Sequence, residues 1–531
     1  MYSYRDFGLP PDPLWDLRTM PLRASPHLWV RLDGEGALWR QLYRAMKHAI
    51  VSGELGAGKR VPSTRALAEG FGLSRSTALP VYDQLLAEGY LVSRRGSGTF
   101  VSDNVPRSDN RNALSRSREA ALPPRLSLYG HRLAAPNLAY PFGDMERLEP
   151  ARYEFVYGVP EVSAFPGHVL RRIAAVRLDQ VATRSLSYSA PEGIRGLREM
   201  IADYLVRNRG ARCTADQVLI TTGAQQALSL ISHTLLNCGD AVLLENPHHL
   251  GARNAFLAAG ADIVPVPVDD EGVNLSAVSP GVLNRCVLAY VTPSHQFPTG
   301  VVLSLRRRMD LLSWASRRAA YIVEDDYDSE FRYAGRPLES LQALDQRGRV
   351  IYVGTFSKVL FPGLRIGYLV APVELQSAFR SAKWIADWCT PTLEQATIAD
   401  FMRDGHFERH LRSLRKRYAP RHAALREALQ FHFGDAVSIG ESNTGLHMVA
   451  WFDDVAPLAL EAIVKQARAK DVGVHSVTPY YMGKPERSGL LLGFTLVNET
   501  DIREAIRRLA TAFAGRRTPR KRRNAHVDGS P

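Results

Sequence analysis

From Tyr153 onward, short apolar runs alternate with helical stretches, and nothing else in the 531 residues narrows the fold so far. The runs are 218–220, 241–244, 263–266, 287–291, 321–323, 350–353 and 366–370. They are continuous rather than alternating, as in strands covered on both faces, so the spacing predicts a mainly parallel sheet clothed by helices. Polar residues gather where the runs end, the edge at which open α/β sheets bind ligands. This large unit is expected over residues 138–514.

The stretch 350–370, VIYVGTFSKVLFPGLRIGYLV, holds a single lysine, Lys358, between two of these runs. A lysine confined there is costly unless its charge is used or its pKa falls, the condition in which lysines form Schiff bases. Thr355, Ser357 and Arg365 flank it and suit a phosphate, which arginine grips bidentately. Taken alone, the motif is a weak signal, and its plainer reading is a surface-loop lysine.

Three further strand ends bear on that choice. Thr221–Gln226 (TTGAQQ) opens a helix after the run 218–220, and free N–H groups at such a start accept a phosphate. Asn246-Pro247-His248-His249 supplies an imidazole able to lie on a flat ring, or two solvated histidines. Glu324-Asp325-Asp326-Tyr327 supplies carboxylates for a cationic ring nitrogen, a divalent metal or a helix cap. A carboxylate paired with such a nitrogen at about 4 Å gains on the order of 4 kcal/mol before desolvation. Phosphate, flat ring, protonated ring nitrogen and aldehyde together describe pyridoxal 5'-phosphate, and no metal is expected.

The region resembles the fold-type I aminotransferases through LSYSAPEGIRGLREMIADYL, TTGAQQAL, ENPHHLG, TPSHQFPTG, VEDDYDSEFRY and GTFSKVLFPGLRIGY. The resemblance implies that Lys358 forms the aldimine, Asp325 pairs the ring nitrogen, Tyr327 bonds the ring hydroxyl and His249 stacks on the ring. It further implies that Gly223, Ala224, Gln225, Thr355, Ser357 and Arg365 surround the phosphate. Tyr188 would reach the phosphate of a neighbouring subunit, which implies a homodimer. Phe297 stands where these enzymes carry an asparagine near the ring hydroxyl, preceded by His295-Gln296. The usual carboxyl-terminal arginine has no evident counterpart near 473–481, GVHSVTPYY.

The amino-terminal third follows a different period. Leu38, Leu42, Ala45 and Ala49 fall at helical spacing, widened by Met46 and Ile50. A second helix starts at Ser63-Thr64 and ends at Gly72, and a third follows Ser74 as cap. Residues 90–93 and 99–101 read as two short strands around RRGSG. Three helices and a two-stranded wing describe a winged helix-turn-helix over 36–101, or a small basic packing module. Those residues hold nine Lys or Arg against four Asp or Glu, a bias that suits a polyanion.

The string LYRAMKHAIVSGELGAGKRVPSTRALAEGFGLSRSTALPVYDQLLAEGYLVSRRGSGTFV resembles the DNA-binding domain of the GntR family. The resemblance implies contacts to double-stranded DNA from Arg65, Ser74, Arg75, Ser76, Thr77 and Gly96. Pro80, past the first turn of the third helix, removes a backbone hydrogen bond and is expected to kink it.

Residues 1–35 are expected to form an extended lead-in. Residues 102–137, rich in Ser, Arg, Asn and Pro, are expected to be a flexible linker, and 515–531 a basic disordered tail. No run is long enough to span a membrane and no signal peptide is evident. Four scattered cysteines read as reduced, buried thiols in a cytoplasmic protein.

A GntR-like reader joined to an aminotransferase-like domain, with EDDYDSEFRY, TPSHQFPTG and RLDGEGALWRQLYRAM, resembles the MocR/GabR regulators. The resemblance implies a transcriptional regulator that binds pyridoxal phosphate at Lys358 and responds to a small amine, an amino acid or the cofactor. The rival reading is a working aminotransferase with an appended DNA-binding domain.

Overall fold

The computed structural model describes residues 32–105, 125–135, 138, 151–179, 188–335, 337–440 and 443–513. The lead-in over 1–31, linker residues 106–124 and 136–137, and the tail 515–531 lie outside the described residues. The chain divides into two compact units, Met1–Arg125 and Leu126–Pro531.

In the first unit, α1 (Leu38–Val51), α2 (Thr64–Phe71) and α3 (Arg75–Ala87) precede β1 (Leu91–Arg94) and β2 (Gly98–Val101). Leu42 and Met46 of α1, Leu67 of α2, and Val81 and Leu85 of α3 are fully buried in one core. That core is the apolar stripe expected from spacing, except that Leu38 remains exposed. Ser63 Oγ accepts from the Ala66 N–H at 3.1 Å and caps α2, while Gly72 ends it in the left-handed region. Ser74 occupies the cap position of α3 without a side-chain bond to a backbone N–H; its hydroxyl instead meets Ser76 Oγ at 2.7 Å and Thr77 Oγ1 at 2.9 Å. The helix runs unbroken through Pro80. β1 and β2 pair antiparallel from Leu91–Val101 to Arg94–Gly98, so the first strand has its expected length but is shifted one residue onward, and the second begins one residue earlier than expected.

The second unit is built on an eight-stranded sheet. Its order is Val218–Thr221, Gly367–Val370, Val350–Thr355, Tyr321–Asp326, Cys286–Val291, Ala241–Asn246, Asp262–Asp269, Gly272–Val273. Both faces are covered, because successive residues of one strand enter different cores. Val242 and Leu244 pack with helix residues Leu228 and Phe256, while Ala241 and Leu243 pack with Leu311 and Trp314.

The sheet is mixed rather than wholly parallel. Gly367–Val370 runs antiparallel to both neighbours, with Thr355 opposite Gly367 and Gly367 opposite Thr221. Residues 356–366 return without a crossover helix, and a parallel pairing needs one. That short return is the loop that carries Lys358.

Two further features escaped the periodic reading. A four-stranded antiparallel sheet, Ser438–Ile439, His447–Trp451, Gly489–Gly493 and His475–Ser476 in that order, lies in the last third. A helix, Leu128–Leu133, occupies part of the expected linker; Ser127 caps it and Arg132 Nε donates to the Ala258 carbonyl at 2.8 Å. The four cysteines are free, but Cys286 is buried and Cys238 exposed, so burial is not the rule expected for them. Among the described residues, no helix is long and apolar enough to cross a membrane.

Candidate functional site

Lys358 stands in the return loop just beyond the strand Val350–Thr355. Its Nζ donates to the Gly158 carbonyl at 2.7 Å. Burial lowers its pKa, and the carboxylates of Asp328 and Asp325 oppose that shift. An amine so placed is closer to its neutral, nucleophilic form than a surface lysine.

Asp325, 4% exposed, is the penultimate residue of the adjacent strand Tyr321–Asp326. Burial pushes its pKa up to about 6, against the stabilising Tyr290 hydrogen bond and the Lys358 charge. Tyr290 donates to Oδ2 at 2.7 Å, whereas Oδ1 is buried without a partner. A buried carboxylate with one orphaned oxygen is costly, and a cationic N–H donor would satisfy it.

Gly223 and Arg365 meet at the start of the helix Ala224–Leu235. Gly223 holds φ +124, and a Cβ there would lie 3.3 Å from Arg365 Nη2. Free N–H groups of this helix start beside a guanidinium form an anion site. Gln225 Nε2 donates to the Gly251 carbonyl at 3.0 Å, and Thr355 Oγ1 accepts from the Ser357 N–H at 3.1 Å.

His249 caps the helix Leu250–Ala259, its Nδ1 accepting from the Ala252 N–H at 3.3 Å. Burial lowers its pKa to about 4, so the ring is neutral at neutral pH. It lies near-parallel to Tyr290 with centroids 6.4 Å apart. Tyr327 donates to the His295 carbonyl at 3.0 Å, with its oxygen 3.1 Å from His295 Nδ1. Phe297, at the position noted for a missing asparagine, packs edge-on against His249, Tyr327 and Tyr480.

The expected residues Lys358, Asp325, Tyr327, His249, Gly223, Ala224, Gln225, Thr355, Ser357 and Arg365 thus stand on the adjoining strand ends, loops and helix starts of one sheet. Tyr188 is not among them within this chain; it is 74% exposed and stacks on Trp388 at 4.8 Å. Tyr290, Gly158 and Asp328 belong to the site but drew no expectation. Tyr290 sits inside a recognised apolar run and Asp328 inside EDDYDSEFRY; Gly158 contributes only a carbonyl, which no sequence pattern marks.

These side chains fit pyridoxal 5'-phosphate on the structure's own terms. An orphaned carboxylate oxygen awaits a cationic nitrogen, a glycine leaves room beside an arginine at a helix start, and a depressed amine lies within their field.

His295, Asp328 and His447 bring donor atoms within 4.8 Å of one another and could hold a metal ion. Two of those donors are already engaged: His295 Nδ1 with Asp328 at 3.0 Å, and His447 Nε2 with the Pro298 carbonyl at 3.0 Å.

In the first unit, Arg65, Ser74, Arg75, Ser76 and Gly96 are exposed and Thr77 is half-buried. Arg75, Ser76 and Thr77 form the first turn of α3, and Gly96 (φ +76) lies in the wing turn. Arg65 pairs with Glu69 at 2.9 Å in open solvent, an ion pair worth little and easily exchanged for a phosphate.

Comparison with known proteins agrees with both halves. Residues 38–101 match "Bacterial regulatory proteins, gntR family", and residues 163–509 match "Aminotransferase class I and II". The probable rhizopine catabolism regulatory protein MocR of Rhizobium meliloti is 37% identical over 91% of this chain and 94% of its own length. The HTH-type transcriptional regulator TauR of Rhodobacter capsulatus is 32% identical over 90% of this chain and 97% of its own. Among solved structures, Pyrococcus horikoshii kynurenine aminotransferase in complex with PMP covers 75% of this chain and 97% of its own, with 30% identity and a TM-score of 0.64. The α-aminoadipate aminotransferase LysN of Thermus thermophilus, complexed with N-(5'-phosphopyridoxyl)-L-leucine, covers 73% of this chain and 97% of its own, with 30% identity and a TM-score of 0.65. With both parts matched in order along one chain, this protein belongs to the MocR-type transcriptional regulators, in which a GntR-family helix-turn-helix domain precedes a class I and II aminotransferase domain.

Proposed function

We propose that this regulator grips double-stranded DNA through residues 36–101 and senses a small amine, an amino acid or pyridoxal 5'-phosphate itself at Lys358. The sensing domain is assigned to 138–514, joined to the reader by 102–137, in a cytoplasmic homodimer. The observation that carries this reading is the depressed Lys358 amine close to an Asp325 carboxylate with one oxygen left unpaired.

When bound, pyridoxal phosphate supplies an aldehyde that condenses with primary amines, and a ring that draws electrons away from the condensed carbon. Lys358 would supply the resident amine, with the Gly158 carbonyl orienting Nζ beforehand. Asp325 would hold the protonated ring nitrogen and Tyr327 the ring hydroxyl. Gly223, Ala224, Gln225, Thr355, Ser357 and Arg365 would hold the phosphate, and neutral His249 would cover one ring face. An effector that displaces Lys358 frees a buried amine. The free amine and the occupied site must then differ in their preference for one domain arrangement, since a ligand shifts an equilibrium only through differential interaction.

The exposed Tyr188–Trp388 stack, continued by Trp384 and by Ile385 at 77% exposure, supports the homodimer. On the DNA side, the first turn of α3 would meet base edges and the wing the backbone.

The test pairs two measurements on the full chain. Pyridoxal phosphate should produce a visible absorption band, which candidate amines then shift. A fragment of DNA from upstream of the chain's own gene should bind, with Arg75→Ala weakening that binding. A colourless protein, or DNA binding indifferent to Arg75→Ala, would overturn the reading. The presence of both Lys358 and Asp325 also favours a working aminotransferase, and steady-state transamination at ordinary enzyme rates would establish that instead.

A further inference from the structure

Building on the cofactor reading above, we propose that His295 and Asp328 form a positioning dyad for Tyr327, taking over the work of the side chain replaced by Phe297. Phe297 offers the ring hydroxyl no polar group, so Tyr327 is the one assigned partner that remains. Its own orientation therefore has to be set by something else.

The dyad does this from two directions. The Tyr327 hydroxyl donates to the His295 carbonyl at 3.0 Å, and the same oxygen lies 3.1 Å from His295 Nδ1. His295 Nδ1 faces Asp328 at 3.0 and 3.1 Å to its two oxygens, and the pair is buried, 2% and 1% exposed at the side chains. Asp328 is in turn held by the Leu446 N–H at 3.2 Å. A carboxylate on Nδ1 fixes the tautomer, so the Nδ1 proton is shared between Asp328 and the tyrosine oxygen.

The surroundings are shaped for an imidazole. Gly445 holds φ +81, and a Cβ there would collide with the His295 ring; a Cβ at Gly300 would lie 3.1 Å from Nε2. His447 packs against His295 at 4.7 Å with its Nε2 committed to Pro298. The charged groups acting on this corner include Asp328, Asp325, Glu245 and Asp326 on Tyr327, and Lys358 on His447.

The function follows from hydrogen-bond order. With Nδ1–H donating to its oxygen, Tyr327 becomes a stronger donor, since linked hydrogen bonds polarise one another. The proton it gives to the His295 carbonyl can then turn toward the cofactor's ring oxygen, while the oxygen itself stays anchored. A ring oxygen that loses this donor is more basic and releases its proton at higher pH. Asp328 also acts on Lys358 directly, so the clean variants are at His295.

The experiment is a pH titration of the visible band of the full chain loaded with pyridoxal 5'-phosphate. His295→Phe keeps a ring but no donor and should raise the midpoint by about one unit, the worth of one charge-assisted hydrogen bond. His295→Asn, which restores a donor near Nδ1, should return most of that shift. Tyr327→Phe should raise the midpoint too, and His295→Phe added to it should add nothing. Where the phenylalanine variant does not fold, His295→Leu serves in its place. A midpoint that stays at the wild-type value in the variant, or shifts that add in the double variant, would overturn the dyad. Absence of any band in the wild type strikes at the cofactor site itself, a separate failure.

Discussion

The Tyr290 hydroxyl donates to Asp325 Oδ2 at 2.7 Å across two neighbouring strands, and the other carboxylate oxygen is left buried without a partner. One oxygen is thus fixed in place while its twin is left able to accept a hydrogen bond from a ring nitrogen. The arrangement orients the carboxylate before any ligand arrives, at a cost to the free protein.

That cost is measurable. The Asp325 pKa is raised by burial from 3.8 to about 6, so the folded state binds its proton more tightly than the unfolded chain. Its favourable contribution is complete below about pH 3.8 and is lost as pH rises through about 6. Asp325→Asn should therefore stabilise the cofactor-free protein at pH 7.5, by up to about 3 kcal/mol, and leave it unchanged near pH 4. The same variant should weaken cofactor binding. Denaturant melts at both pH values check the first outcome, and fluorescence titration with pyridoxal phosphate the second.

Lys358→Ala should abolish the visible band while leaving far-UV circular dichroism unchanged. The lost Gly158 bond is a single contact to a half-buried side chain, so stability should change by no more than about 1 kcal/mol. Retention of the wild-type spectrum would place the reactive amine elsewhere.

Arg365→Ala should weaken pyridoxal phosphate binding about 10- to 100-fold, the worth of one charge-assisted hydrogen-bonding group. Gly223→Ala should do comparable harm for two reasons, since φ +124 is strained for any Cβ and that Cβ would press on Arg365. Pyridoxal, which lacks the phosphate, should bind both variants about as well as wild type. Equilibrium dialysis with the two ligands decides the matter.

Arg75→Ala removes the exposed guanidinium that opens α3. Affinity for a specific site should fall by about 1–3 kcal/mol if it meets a base, with sequence preference relaxed at one position. If it meets only phosphate, binding should weaken evenly and the salt slope should drop by about one. Salt-dependent fluorescence anisotropy distinguishes the two.

What could be read from residues alone was whatever repeats locally. Apolar runs at strand length, the helical stripe of Leu42, Met46 and Ile50, and caps such as Ser63 all follow from short-range sterics and hydrogen bonding. The placement of Lys358, Asp325, His249 and Gly223 at or just beyond strand ends was legible for the same reason, because each buried run is short and its apolar pattern stops there. The linker was misjudged where Arg132 reaches back to Ala258, a bond between residues far apart in sequence that no window over 102–137 contains.

The sequence by itself determined that two domains of different period share this chain, and that one lysine stands between buried strands. Only the tertiary structure decided that the strand after Lys358 runs antiparallel, that Tyr290 holds Asp325 from a neighbouring strand, and that His295 and Asp328 meet behind Tyr327. Those relationships depend on register and packing between segments distant in sequence, where a carboxylate is satisfied or orphaned according to which side chain happens to arrive beside it.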